Sequence, residues 1–177
     1  YSWERNKIGL SGEVIPPFDP VRVRKNNVYC WGRTYSIGSN GLPAQISASA
    51  PTGQVGYRQP QKLLAAPIRF EVHSDLNVQS TSKPQMKMSS IRPDRVEIAA
   101  SEQAGPLHLD VKAAMEYDGW YEIALGVQPA GKGKVRALDM VLDLAHAPNA
   151  SPVDTIYVQR LVDGRYGNHF VAVPEKA

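Results

Sequence analysis

The sequence of 177 residues has a single cysteine, Cys30, and no long apolar run. One cysteine excludes an internal disulfide and a metal site built from cysteines. Because no stretch is long enough to cross a bilayer and none has the apolar core of a signal peptide, we expect a soluble protein with no membrane partner. The histidines stand apart, without an HxH or HxxxH pair, so we predict neither a metal ion nor a cofactor.

The excess of positive charge is small, because 20 lysines and arginines stand against 17 acidic residues. Arg22, Arg24, Lys25 and Arg33 cluster early in the chain, but no basic stripe is interleaved with aromatic residues as in a nucleic-acid-binding fold. Basic residues on edge strands discourage edge-to-edge aggregation. We therefore interpret the cluster as a solvated strand edge and expect no nucleic-acid partner.

The clearest pattern in the chain covers residues 107–127. Apolar and polar side chains alternate on both sides of Asp118-Gly119. Such alternation gives a half-buried strand one apolar face, and Asp-Gly between two alternating runs is a strong signal of a β-hairpin. The sequence therefore predicts an antiparallel β architecture.

The same alternation decides the register of this hairpin. A two-residue turn would set Met115 opposite Glu122, an apolar side chain beside a polar one. A three-residue loop from Tyr117 to Gly119 sets Met115 opposite Tyr121 instead, and it requires a positive φ at Gly119. We predict the three-residue loop.

Turn residues separate the rest of the chain into short runs, and no run sustains a helical period. The resulting prediction is an all-β, antiparallel β-sandwich of the supersandwich kind. Residues 74–94 are predicted to form a loop, since serine, threonine and proline dominate their centre. Further strands are expected near residues 21–24, 27–37, 44–49, 62–73, 96–100, 135–144, 155–162 and 169–173, the last two around a turn at Asp163-Gly164. In the strand over 135–144 the side chains expected to point inward are Leu138, Met140, Leu142 and Leu144.

Residues 1–20 read as an extended, Pro-rich N-terminal arm, and residues 21–177 as the β-sandwich domain. Pro16, Pro17 and Pro20 exclude a helix and favour an extended backbone. We expect the arm to pack on its own domain or on another one through its apolar side chains, Trp3, Ile8, Leu10, Ile15 and Phe18.

Carboxylates are plentiful, and glycoside hydrolysis uses a pair of them. Each one stands at a turn or where alternation predicts a solvent-facing side chain, so we predict no catalytic residue. The six in question are Asp110, Glu116, Asp118, Glu122, Asp139 and Asp143. Cys30 alternates with Tyr29 and Trp31, which favours a buried, unreactive thiol.

Three aromatic residues are candidates for contact with a carbohydrate: Trp120, Trp31 and Tyr166. Trp120 follows the hairpin turn and lies beside Glu116 on the polar face, where it can stack on a sugar or cover a neighbouring domain. A packed or interfacial tryptophan is the alternative interpretation.

Six segments share their pattern with a known group of proteins. They are Val28-Tyr29-Cys30-Trp31-Gly32-Arg33-Thr34-Tyr35, Gly41-Leu42-Pro43-Ala44-Gln45-Ile46, Leu63-Leu64-Ala65-Ala66-Pro67-Ile68-Arg69-Phe70, Met115-Glu116-Tyr117-Asp118-Gly119-Trp120, Val127-Gln128-Pro129 and Leu138-Asp139-Met140-Val141-Leu142. In these segments the chain resembles the N-terminal β-sandwich region of bacterial glycoside-hydrolase-like proteins related to the N-acetyl-β-galactosaminidase family. The resemblance implies a secreted or periplasmic protein in which the sandwich precedes a catalytic barrel. The family's catalytic carboxylates would lie in that barrel, so none is carried over to this chain.

Three functions are open on this basis. The chain is a non-catalytic module that supports or shapes a catalytic barrel, a carbohydrate-binding module that uses exposed aromatic residues, or a structural module for subunit assembly. The expected partner is an adjacent domain or subunit of the same protein, and in the second case also a carbohydrate. Because the chain begins at Tyr1 rather than Met, we interpret it as processed or as a piece of a larger protein.

Overall fold

The computed structural model describes residues 12–48, 60–75, 84–145, 155–162 and 165–172. Within these ranges the regular structure is β throughout, and no helix long and apolar enough to span a membrane is found there. Backbone contacts divide the chain into two units, residues 1–145 and 146–177. In chain order the strands are β1 (Arg22–Arg24), β2 (Asn27–Cys30), β3 (Arg33–Ile37), β4 (Pro43–Ala48), β5 (Gln61–Lys62), β6 (Arg69–Ser74), β7 (Gln85–Ile91), β8 (Arg95–Ala104), β9 (Leu107–Glu116), β10 (Tyr121–Pro129), β11 (Val135–Val141), β12 (Thr155–Val162) and β13 (Arg165–Ala172).

The first sheet contains β1 to β5 in the order β1-β2-β3-β4-β5, with antiparallel neighbours. Arg22 and Arg24 lie on its edge strand with exposed side chains, as the interpretation of the basic cluster expects. The interpretation is wrong for Arg33, which is half-buried in the inner strand β3. The single strand predicted over 27–37 is wrong, because the chain reverses at Trp31-Gly32 and forms the hairpin of β2 and β3. Alternation does not distinguish one long strand from two short strands joined by a tight turn.

The second sheet contains β7 to β10 in the order β10-β9-β8-β7, also antiparallel. Strand β7 occupies residues 85–91 of the segment predicted to be a loop, so that prediction is wrong there. Met86 and Met88 of β7 alternate with polar residues and pack against the core. Pairing with β8 stabilises a strand whose local composition indicates a loop.

The two sheets pack face to face around one hydrophobic core, and the predicted β-sandwich is confirmed. Alternate side chains of each sheet point inward, and residues of the connecting segments such as Leu42 and Leu64 complete the packing. Each fully buried side chain of this size stabilises the fold by roughly 1.5–3 kcal/mol. The inward-facing strand residues include Val28, Tyr35, Ile37, Val96, Ile98, Val111, Ala113 and Met115.

The hairpin of β9 and β10 has the predicted register. Met115 lies opposite Tyr121. The Glu116 amide donates a hydrogen bond of 2.9 Å to the carbonyl oxygen of Trp120, which closes a three-residue loop. Gly119 has a φ of +88°, as this loop requires.

Two tyrosines connect the sheets near this loop. Tyr35 of β3 stacks on Tyr121 of β10, with ring centroids 6.2 Å apart. The Tyr35 hydroxyl donates to the carbonyl oxygen of Gly119 at 3.1 Å, and the Tyr121 hydroxyl donates to the carbonyl oxygen of Gly41. Burial raises the pKa of both hydroxyls, so both keep the proton that they donate. Each sheet thereby holds a turn of the other.

Strands β6 and β11 form a separate, two-stranded ribbon. The prediction that Met140, Leu142 and Leu144 point inward is wrong for this chain, since they are 55%, 43% and 38% exposed. Phe70, which lies opposite Met140, is partly buried against the core. No third strand joins the ribbon in the part of the chain that the structure describes, so its apolar side is covered only in part.

Other predicted strands have different bounds. The strand predicted over 62–73 is divided into β5 and β6 by residues 63–68, where Pro67 has no backbone donor for a ladder. In the second unit β12 and β13 pair along their whole length, from Thr155 opposite Ala172 to Val162 opposite Arg165. Strand β13 thus begins earlier than predicted, and the turn residues 163–164 lie outside the described residues.

The part of the N-terminal arm that the structure describes, residues 12–20, contains neither helix nor strand. Phe18 packs its ring against two other aromatic rings, whereas Ile15 is 51% exposed. The expected contacts of Trp3, Ile8 and Leu10 lie outside the described residues. The division into an arm and a domain at residue 21 stays a prediction.

Candidate functional site

Two turns meet at one end of the sandwich and form a group of aromatic residues. Trp31 lies in the β2–β3 turn and Tyr117 in the β9–β10 loop. Phe18 makes an edge-to-face contact with each of them, at centroid distances of 5.3 Å. Such contacts add roughly 0.5–1.5 kcal/mol to simple burial. The arm residue Phe18 thereby joins the turn to the loop.

Polar contacts hold the same loop against β3. Arg33 donates a hydrogen bond of 2.9 Å from Nη2 to the carbonyl oxygen of Asp118. The Asp118 carboxylate accepts a hydrogen bond of 2.9 Å from the backbone amide of Trp120. These two hydrogen bonds hold the backbone on both sides of Gly119.

The three predicted carbohydrate contacts have different surroundings. Trp120 is 65% exposed, while Trp31 at the same end of the sandwich is half-buried and packs against Phe18. Tyr166 lies in β13 of the second unit, opposite Leu161, and its side chain lies outside the described residues. A role for each in carbohydrate contact stays a prediction.

The carboxylates singled out from the sequence are exposed or half-exposed, and most are paired. Arg95 contacts Glu116 at 2.9 Å and Glu122 at 3.4 Å. Asp143 forms an ion pair with Arg69 at 2.8 Å, and the carboxylates of Asp139 and Asp110 contact the imidazoles of His73 and His108 at 3.1 and 3.3 Å. Among the described residues no charged side chain is buried, and no group of three potential metal ligands occurs.

Besides the two tyrosines that connect the sheets, the fold partly desolvates the acidic groups of Cys30 and Glu102. Cys30 is 9% exposed, and burial raises the pKa of its thiol to about 11, which agrees with the predicted buried thiol. Burial also raises the pKa of Glu102 in β8. Glu102 was not predicted from the sequence, although its spacing from Ile98 and Ala100 places it on the core-facing side of β8.

A second feature missed from the sequence is the outer face of the β7–β10 sheet. Two shallow depressions of ≈ 370 and ≈ 410 Å³ open on it. Their shared lining consists of Ala99, Lys112 and Ala124. The alternation that predicts polar residues on this face does not show where small residues from three strands come side by side.

A comparison with known protein families shows to which family the chain belongs. Residues 21–152 match the family model described as glycoside hydrolase 123, third domain. The chain belongs to this family. No curated protein and no solved structure matches it at a significant level.

Family membership confirms the resemblance to glycoside-hydrolase-like proteins. The third domain is an accessory domain of that glycoside hydrolase family, and it has other domains of the same protein as neighbours. The position of the chain before or after a catalytic barrel stays a prediction.

Proposed function

We propose that the chain is a non-catalytic module that supports or shapes the catalytic domain of a larger glycoside hydrolase, by packing against a neighbouring domain of the same polypeptide. Membership in a family of third domains supports the proposal, because such a domain folds beside others. We include a secreted or periplasmic location in the proposal, as the resemblance implies.

The observation that carries the proposal is an exposed apolar row on the β6–β11 ribbon and the segment after it. Met140, Leu142 and Leu144 alternate along the chain, and all three are more than a third exposed. Exposed apolar groups of this kind mark interaction surfaces. Covering the exposed half of one such side chain contributes roughly 1 kcal/mol.

The other side of the ribbon is polar, and its charged and polar side chains contact one another. Arg69 contacts both Glu71 and Asp143 at 2.8 Å, and His73 contacts Asp139 at 3.1 Å. The ribbon therefore has one face whose polar side chains are paired with one another and one apolar face that is only partly covered. An amphipathic ribbon of this kind is suited to packing against another domain through its apolar side.

The carboxylates favour a module over an enzyme. A glycosidase holds two carboxyl groups across a cleft and keeps one of them desolvated, so that it can act as an acid. Glu116 and Glu122 share the Arg95 guanidinium on an open sheet face, and the Glu122 side chain is 61% exposed. This arrangement supplies surface ion pairs.

The test compares hydrogen exchange in the complete parent polypeptide and in this 177-residue chain alone. We expect the amides of β11 to exchange more slowly in the parent, because the neighbouring domain covers them. Met140→Glu should abolish the difference and lower the Tm of the parent. Ile91→Glu is the matched control, since Ile91 is 57% exposed at the end of the edge strand β7. Equal exchange of β11 in the two proteins would contradict the proposal.

A further inference from the structure

The outer face of the β7–β10 sheet has small residues at its centre. Direct partners on neighbouring strands share a face, so Ala114 lies in one row between Glu97 and Glu122. Ala114 is only 5% exposed, since longer side chains stand around it. The next two rows are Ala99, Lys112 and Ala124, and then Ser101, Asp110 and Gly126.

The small residues of these rows, Ala99, Ala114, Ala124 and Gly126, line two adjoining depressions that form an elongated groove, with Lys112 in the lining of both. The two depressions adjoin at Lys112, and together they extend along β10 from Glu122 to Gln128. With Trp120 added, the face from Trp120 to Gly126 is roughly 20 Å long by strand rise. A chain of several pyranose rings fits this length and can lie close to the backbone of the sheet.

Trp120 stands two residues before Glu122, beyond that end of the groove, and is not part of the lining of either depression. Alternation back from Glu122 places its side chain on the outer face, and its ring is 65% exposed. The backbone beside it is held by the hydrogen bonds to Asp118 and Glu116. A tryptophan with a fixed backbone and a free ring offers a flat apolar surface at little entropic cost.

Polar groups flank the floor of the groove. Glu97 and Glu122 stand on opposite sides of Ala114, with backbones roughly 10 Å apart by the spacing of strands. Among the described residues, Glu97, Lys112 and Gln128 have no side-chain hydrogen bond or ion pair. Carboxylate and amide oxygens can accept hydrogen bonds from hydroxyl groups, so the groove combines an aromatic surface with unused polar partners.

We propose that this outer face binds a neutral oligosaccharide. Trp120 stacks on the C–H face of one pyranose ring, and Glu122 and Glu97 accept hydrogen bonds from hydroxyl groups along the oligosaccharide. The cations in the lining, Arg95 and Lys112, are balanced by Glu97, Glu122 and Asp110, so the groove lacks the excess of positive charge that the phosphates of a nucleic acid require. Trp120 is the one large aromatic side chain on the described part of this face, which disfavours a protein partner. The proposal does not rest on domain docking, since the groove and the apolar row of the ribbon are different surfaces.

The test is a titration of the 177-residue chain with four neutral hexasaccharides: chitohexaose, cellohexaose, xylohexaose and mannohexaose. Amide shifts are followed by two-dimensional NMR. We expect at least one hexasaccharide to shift the indole N–H of Trp120 and the amides of β9 and β10. Trp120→Ala should weaken that binding at least about fivefold. Ala124→Arg should block the floor of the groove and abolish the binding, with the Tm unchanged.

Met140→Ala is the matched control, because it removes another exposed side chain from a different surface. It should leave the affinity unchanged. The proposal is overturned if none of the four hexasaccharides shifts the outer-face amides. Binding that survives both Trp120→Ala and Ala124→Arg would also overturn it, as would protection of this face by a protein domain in the parent polypeptide. The hydrogen-exchange experiment with Met140→Glu tests the packing of the ribbon against a neighbouring domain and does not depend on this titration. Either proposal can therefore be contradicted while the other holds.

Discussion

Tyr35 and Tyr121 stack almost in parallel between the sheets, and each donates its hydroxyl to a glycine carbonyl in a turn that belongs to the opposite sheet. The two hydrogen bonds cross the sandwich in opposite directions. They fix the β9–β10 loop on one side and the β3–β4 connection on the other. The position of Trp120 therefore depends on contacts made across the core.

This relationship predicts a cost for removing either hydroxyl. Tyr35→Phe and Tyr121→Phe should each lower the free energy of unfolding by about 1–2 kcal/mol, because each leaves a carbonyl without its donor. The rings stack, so the double variant should deviate from additivity. Urea denaturation of the four proteins measures this cycle. Tyr29→Phe, at a half-exposed position of β2, is the control and should change the free energy of unfolding little. The prediction is contradicted if Tyr35→Phe and Tyr121→Phe each lower the free energy of unfolding by less than a few tenths of a kcal/mol.

Gly119→Val should destabilise the chain by about 2–4 kcal/mol. The residue has a φ of +88°, and an added β-carbon would stand 2.9 Å from Cζ of Arg33. Adding Arg33→Ala should recover at most the steric part of the loss, because the backbone strain stays and the hydrogen bond from Arg33 to Asp118 is lost. Gly126→Val is the matched control, since a β-carbon there has ordinary contacts with Asp110. Thermal unfolding measures all of these variants, and equal Tm values for the two valine variants would rule the explanation out.

Cys30 should be unreactive in the folded chain. A thiol with a pKa of about 11 is only about one part in a thousand thiolate at pH 8, and the side chain is 9% exposed. Labelling with a thiol reagent at pH 8 should be slow in buffer and complete in urea. Labelling at the same rate in both solutions would show that the thiol is accessible in the folded state.

Glu102 should make the fold less stable as the pH rises. Burial raises its pKa in the folded state above the ordinary value of 4.5, so the folded state holds the proton more tightly. The free energy of unfolding therefore falls as the pH increases through the range above 4.5. Glu102→Gln should stabilise the chain at pH 7 by less than about 1 kcal/mol, since the group is partly hydrated. Denaturation at pH 7 and pH 4 measures the stabilisation by Glu102→Gln, which should be smaller at pH 4. Glu97→Gln on the outer face is the control and should not show this pH dependence.

The 177-residue chain alone should not hydrolyse aryl N-acetylhexosaminides or other aryl glycosides. The six carboxylates singled out from the sequence are exposed or half-exposed, and no charged side chain in the described ranges is buried. The measurement is release of the aryl group by the purified chain. Hydrolysis that disappears in Glu116→Gln, Glu122→Gln or Asp139→Asn would make this domain the enzyme.

The β9–β10 hairpin shows what local pattern can predict. Side chains of a strand alternate with a period of two, so a shift by one residue would turn Met115 and Val111 out of the core. Only one loop length satisfies that condition, and it carries Gly119 at positive φ. Cys30 was placed correctly for the same reason, because its neighbours alternate with it.

The strands that were missed or misplaced show what the local sequence pattern does not predict. Strand β7 pairs with β8 although its own composition resembles a loop, and the strand predicted over 27–37 reverses at Trp31-Gly32. The candidate groove was missed because its floor combines residues of three strands, Ala99, Ala114 and Ala124, that are far apart in sequence.

By itself, the sequence determined the all-β class, the register of the main hairpin, the buried thiol and the family. Each of these depends on short-range alternation or on motifs read along the chain. Only the tertiary structure decided that Met140 is exposed, that the Arg33 guanidinium lies next to Gly119 and that Trp120 stands beside a groove. Those facts depend on which surfaces pack together, and packing joins residues more than 80 positions apart, such as Arg33 and Asp118.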